Sequence, residues 1–214
     1  MVRSNVLTFG NFTTKSGRKT PFFINTGNYS TGAQLATLGR FYAEAIRRLF
    51  PDRIDVLFGP AYKGIPLATA AAMTLSSRFE RQTSFCFNRK EAKDHGEGGT
   101  LIGHRLKDGD RVVIIEDVTT AGTSVRESVP LLKTAAAVEV VGLIVSVDRM
   151  ERGNTPKSAL AQLRDEFSLR TGAIVTLDEI IEHLYRREID GNMVITPEIY
   201  NRIIEYRAAY GAQE

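Results

Sequence analysis

One cysteine among 214 residues excludes an internal disulfide, so nothing in the chain asks for an oxidising compartment. That residue, Cys86, lies in the apolar stretch "TSFCFN", where a lone thiol reads as a small core hydrophobe rather than a nucleophile. Histidine is nearly as scarce. His95, His104 and His183 are scattered and show no metal-ligand spacing. No apolar run approaches the roughly 18 residues of a membrane-spanning helix. The first residues, "MVRSNVLTFGNF", lack the apolar segment of a secretory signal, so a cytoplasmic protein is expected. Excess charge is small as well: a net +3 does not by itself indicate nucleic-acid binding. Neither an internal repeat nor a low-complexity linker divides the chain. With 43% hydrophobic and 25% charged residues, a single globular domain over residues 1–214 is expected.

What is present alternates between two periods. "IDVLFG" (54–59), "TSFCFN" (83–88), "RVVIIED" (111–117) and "VEVVGLIVSVDR" (138–149) read as strands. "GTLIG" (99–103) reads as a hairpin partner of 83–88. Helices are expected over 32–50, 65–73 and 123–137. Two more follow near the end: one opening with Thr176 and Glu179 in capping-box spacing, the other opening Thr196-Pro197 and stopping at Gly211. Strands apolar throughout and interleaved with helices argue an α/β fold with a parallel sheet covered on both faces.

The stretch "VVIIEDVTTAGTS" (112–124) carries the most chemistry. In an open α/β sheet, ligands bind beyond the carboxyl ends of strands. A small-residue turn at a helix N-terminus offers backbone N–H groups and a favourable dipole to a phosphate. Thr119, Thr120, Thr123 and Ser124 add hydroxyls, and Gly122 permits a positive φ. Glu116 and Asp117 would repel a phosphate, but carboxylates accept hydrogen bonds from sugar hydroxyls. Acids followed by a phosphate cradle therefore suit a sugar phosphate. The plainer reading, strand-end acids capping the next helix, stays open on this stretch alone. It is neither a Walker A loop nor a dinucleotide fingerprint.

Set beside "FTTKSGRKTPFFINTG" (12–27), "FGPAYKGIPLA" (58–68), "NRKEAKDHGEGG" (88–99) and "SVDRMERG" (146–153), that stretch resembles the orotate phosphoribosyltransferase family, with the motifs in family order along nearly the whole chain. The resemblance implies the type I phosphoribosyltransferase fold: a mostly parallel central sheet flanked by helices, with a small hood from about residues 1–30 plus a C-terminal part. It implies transfer of phosphoribose from phosphoribosyl diphosphate (PRPP) to orotate with Mg²⁺, the metal held mainly by PRPP. A homodimer is implied too, with a lid loop at about 89–99 shared across the interface, and no nucleic-acid or membrane partner.

Residue by residue, the resemblance places Lys15, Tyr62 and Lys63 on PRPP. Arg89, Lys90, Lys93 and His95 of the lid join them; Lys90 serves its own site and the others the neighbouring one. Glu116 and Asp117 take the ribose, and Val118, Thr119, Thr120, Ala121, Gly122, Thr123 and Ser124 the 5′-phosphate side. Phe23, Ile24, Thr120 and Arg149 face orotate. Lys93, Asp117 and Lys15 carry the catalytic expectation. Plainer readings remain for single motifs: a solvated helix-start lysine for Lys63, a solvated hairpin tip for the lid.

Three departures and two rivals complete the reading. Only Met1–Asn5 precede the first matching segment, where the family has a helix, so exposed apolar surface is expected near Val6, Leu7 and Phe9. Ile24 stands where the family often has Phe, and Glu116 where many relatives have Asp. The rivals are a phosphoribosyltransferase for another base and a PRPP-sensing, nucleic-acid-binding regulator on the same fold. The clustering of basic residues inside expected site loops argues against the regulator.

Overall fold

The computed structural model describes residues 1–14, 17–90, 100–119, 121–153 and 155–213. A hairpin opens the chain, β1 (Leu7–Thr13) antiparallel to β2 (Lys19–Ile24). Then come α1 (Gly32–Leu49), β3 (Val56–Gly59), α2 (Gly64–Phe79), β4 (Ser84–Asn88) and β5 (Leu101–Gly103). The second half holds β6 (Arg111–Glu116), α3 (Thr123–Ala135), β7 (Glu139–Asp148), α4 (Ala159–Phe167) and β8 (Arg170–Thr176). It closes with α5 (Leu177–Leu184), the short pair β9 (Glu188–Ile189) and β10 (Asn192–Met193), and α6 (Pro197–Tyr210).

The central sheet runs β5-β4-β3-β6-β7-β8, parallel throughout except for β5. The strands are continuously apolar because both faces are covered. Leu57, Val113, Ile115 and Ile144 face a core shared with α1 and α2. Their neighbours Val56, Phe58, Val112, Ile114 and Val145 face a second core with α3 and α4. Cys86 belongs to that second core; it is fully buried, and burial pushes its thiol up to about 12. The alanines of α2 let α1 come close: a Cβ on Gly39 would lie 2.8 Å from the Ala70 backbone. A third core packs the hairpin against the chain's end, with Leu7 and Phe22 meeting Leu177, Ile180, Ile203 and Tyr206 over Val147 of β7. The hood is therefore built from both ends of the chain.

The expected caps are present: Thr176 and Glu179 form a capping box, and Pro197 opens α6. Thr31 and Gln34 form a further capping box at the start of α1. The mostly parallel sheet stands as expected, but α2 runs six residues past 73, to Phe79. Neither α4 nor β8 was anticipated. The exposed apolar surface expected near Val6 and Leu7 is absent: these residues are 0% and 2% exposed, and Phe9 is half-buried against the same cluster. Helices α5 and α6 supply the cover. The apolar hollow lies instead beside α1, about 580 Å³ lined by Met1, Tyr29, Leu38, Phe41, Ile174 and Val175.

The turn from β3 into α2 is tight enough to be tested. A Cβ on Gly59 would sit 2.3 Å from the Gly64 carbonyl oxygen. Gly59→Ala is expected to cost about 1–3 kcal/mol by overpacking, lowering the Tm by roughly 2–4 °C per kcal/mol in thermal denaturation. Gly32→Ala, where a Cβ meets nothing within 4 Å, is the control and should stay within about 0.5 kcal/mol of the parent.

Candidate active site

Three parallel strands end side by side, and each releases a polar segment under the hood. After β3, Pro60–Lys63 leads into α2; the Ala61–Tyr62 peptide is cis, and the Ala61 N–H donates to Asn88 Oδ1 at 2.8 Å. Tyr62 is 68% exposed, and Lys90 Nζ lies 5.4 Å above its ring. Arg89 closes the β4–β5 stem, its N–H bonded to the Thr100 carbonyl at 2.8 Å.

After β6 come the two acids, and the structure separates them. The Asp117 side chain reaches across the strand ends: Oδ2 accepts from Lys63 Nζ at 3.0 Å and from the Thr26 hydroxyl at 2.6 Å. Its carbonyl is pinned by the Ser146 N–H at 2.7 Å and the Ser146 hydroxyl at 2.5 Å. Glu116 is buried at 8% exposure, with the Ser124 hydroxyl and the Asp117 N–H as its donors. Beneath it, the buried Tyr42 hydroxyl donates to the Glu116 carbonyl at 2.6 Å. Burial raises the Glu116 pKa above the usual 4.5; the Asp117 charge adds to the rise, and the two hydrogen bonds and Lys63 oppose it.

The turn that follows has the shape expected of an anion cradle. Gly122 has φ 72°, and its N–H donates to the Thr119 hydroxyl at 3.1 Å. Helix α3 then starts with no side-chain cap, so its first N–H groups remain for an outside acceptor. Val118 packs into the hood core, and Ala121 and Thr123 are exposed.

After β7 comes Arg149, 9% exposed, its guanidinium 4.8 Å above the Phe22 ring. Arg149, Arg18, Thr14, Thr119 and Asp148 line a hollow of about 560 Å³ between hood and sheet. Phe23 is 42% exposed and stacks on Phe12 at 5.6 Å, whereas Ile24 turns inward to the hood core. Lys15, Lys93, His95 and Thr120 lie outside the described residues. Thr26 and Tyr42 were missed by the sequence reading. Thr26 sits in the expected segment "FFINTG", but its partner is 91 residues away.

The strand-end acids, the open turn and the sheet order define a phosphoribosyl transferase. The family model described as "Phosphoribosyl transferase domain" matches residues 25–167. Orotate phosphoribosyltransferase of Clostridium beijerinckii is 59% identical over 213 residues, spanning 100% of this chain and 95% of that protein. Its namesake from Clostridium acetobutylicum is 56% identical with the same coverage. A crystal structure of orotate phosphoribosyltransferase from Francisella tularensis superposes with a TM-score of 0.83 at 34% identity, covering 99% of this chain and 96% of that one. The chain belongs to the orotate phosphoribosyltransferase family.

The Glu116 environment generates a prediction about stability. A folded-state pKa raised above the unfolded value means stability is full below about pH 4.5 and falls as pH rises through the folded value. Glu116→Gln removes the buried charge. Its Tm should exceed the parent's at pH 8, and the gap should close towards pH 4 in thermal denaturation. A gap that widens on acidification would contradict the assignment.

Proposed function

We propose that the protein transfers the 5-phosphoribosyl group from PRPP to orotate, giving orotidine 5′-monophosphate and diphosphate, as a step in making pyrimidine nucleotides. The carrying observation is that the acid pair and uncapped α3 start stand one strand away from an arginine stacked on an aromatic ring. A ribose 5-phosphate fits the first, and the flat, carboxylate-bearing orotate ring the second. The names of the 59% and 56% identical relatives support the same reading.

In the reaction the C1–oxygen bond to diphosphate breaks, and its electron pair leaves with the diphosphate. Ring N1, having lost its proton, supplies the pair for the new bond. The protein has little covalent chemistry to do; it aligns the reactants and stabilises separating charge. Asp117 and Glu116 hold the ribose hydroxyls and favour the cationic sugar. A hydroxyl reaching Asp117 would draw on the oxygen now shared by Thr26 and Lys63, freeing the Lys63 ammonium for diphosphate. Tyr62 and Lys90 stand on the same side. The turn 118–124 takes the 5′-phosphate, with Thr120 also touching orotate; Phe23, Ile24 and Arg149 take the base side. Mg²⁺ would be carried mainly by PRPP, with Asp117 or Glu116 reached through water. When bound, the ion neutralises charge on the departing diphosphate.

Lys15 would contact PRPP. In the proposed homodimer the lid of residues 89–99 closes on the diphosphate, excluding water, with Arg89, Lys93 and His95 serving the partner's site.

Orotate absorbance should fall when PRPP and Mg²⁺ are added, with hypoxanthine and uracil inert; the reverse pattern would overturn the proposed base. Asp117→Asn should lose at least about a hundredfold in kcat, the scale of a removed charge-stabilising group, while keeping the parent's Tm within a few degrees. Mixed dimers of Lys93→Ala with Asp117→Asn should regain activity, because one hybrid site receives both native residues. Mixed dimers without recovery would exclude a lid donated across the interface.

A further inference from the structure

Arg149, the expected holder of a substrate carboxylate, already has a carboxylate partner. Its Nε and Nη2 both donate to Glu151 Oε1, at 3.0 and 2.7 Å. The pair is enclosed, with the side chains 10% and 13% exposed. The second Glu151 oxygen faces Arg18 Nη1 at 3.5 Å. Both arginines lie on aromatic faces, Arg149 over Phe22 and Arg18 over Tyr210 at 4.3 Å. The Tyr206 hydroxyl is buried beside Glu151 and Arg18, yet makes no hydrogen bond of good geometry among the described residues. Burial, foremost, and then the Glu151 charge raise its pKa.

Backbone geometry delivers Glu151 to this place. Met150 adopts a left-handed φ of 53°, turning the chain back immediately after Arg149. Its N–H donates to Asp148 Oδ1 at 2.8 Å. The far side of the turn is tied to the end of α6: the Arg152 N–H donates to the Tyr210 carbonyl and the Ala212 N–H to the Met150 carbonyl, both at 2.9 Å. The carboxylate thus stands on the hood's own frame and does not depend on a mobile side chain finding its partner.

A guanidinium carries five N–H donors in a rigid fork, and a carboxylate binds it best along one edge with two parallel bonds. Glu151 takes the Nε side of the fork; the Nη1 donors and one Nη2 donor lie beyond that contact. Two arginines against one glutamate leave a surplus positive charge at the edge of the 560 Å³ hollow that all three residues line. That is the charge an anionic substrate group needs, on an arginine whose rotation is already restrained.

We infer that Glu151 is a positioning residue for the base substrate: braced by Arg18, it fixes the Arg149 fork on the face of Phe22 so that the outer edge meets the orotate carboxylate in alignment. The inference rests on the proposed orotate site and adds to it a residue that acts through Arg149. It differs from a second arrangement in which Glu151 merely fills the substrate's seat and must be displaced. The two have opposite signs. Removing a brace weakens orotate binding, whereas removing a competitor tightens it.

The test is steady-state kinetics on the full-length protein with orotate and PRPP varied separately. Glu151→Ala should raise KM for orotate about tenfold, equivalent to about 1.4 kcal/mol of lost binding, and leave KM for PRPP within about twofold. Glu151→Gln, which keeps an acceptor oxygen at the same reach, should recover most of that loss. In an Arg149→Ala background Glu151→Ala should add nothing further, since the route through Arg149 is already gone. Tighter orotate binding in Glu151→Ala, or an equal rise in both KM values, overturns the positioning role. An unchanged orotate KM in a protein that turns over orotate overturns that role alone; a parent protein that ignores orotate overturns the proposed substrate with it.

Discussion

A parallel sheet buried on both faces has one place to present polar chemistry, the ends of its strands. Here β3, β6 and β7 lie next to one another and end on the same edge of the sheet, β7 running three residues further, so three loops distant in sequence become neighbours. Everything polar in the site depends on that register. Asp117 can reach Lys63 because β6 lies beside β3, and Ser146 can pin the Asp117 carbonyl because Glu116 pairs with Val145 of β7. The buried Tyr42 hydroxyl beneath Glu116 continues the same logic from α1. The acids are held by the scaffold and not by their own loop.

The site divides along a boundary visible in the chain. The general family model covers residues 25–167, which hold the strand-end acids, the open turn and the β3–α2 loop. The elements of the hood lie largely outside that span: the β1–β2 hairpin before it, α5 and α6 after it. The strand-end acids and the open turn belong to the sheet, whereas the hood is assembled from segments far apart in the chain. Arg149 is where they meet, on a sheet strand but stacked on the hood's Phe22.

The sheet was legible because its strands break the alternation rule in one consistent way. "VVIIE" is apolar without pause, a pattern that only a doubly covered strand tolerates. Strand β8 escaped notice for the opposite reason: "RTGAIVT" mixes small and polar residues and is half-buried along almost its whole length. Helix α4 is nine residues long, capped by Ser158, too short for its period to stand out. The expectation of bare apolar surface at Val6 and Leu7 followed from the missing family helix before them, whereas their cover comes from helices about 170 residues later. Thr26 and Glu151 were beyond reach on similar grounds. One needs a partner 91 residues distant, and the other needs the left-handed turn at Met150, which no composition signals.

The hood's origin in both ends has a consequence for the order in which the molecule is made. A chain emerging from the ribosome can complete the six-stranded sheet once β8 has been released, at residue 176. Phe22, by then long since synthesised, still lacks Ile203 and Tyr206, which belong to the last helix. The turn carrying Glu151 likewise waits for residues 210–212. The nascent protein therefore has its strand-end acids in place before the hood over them can close.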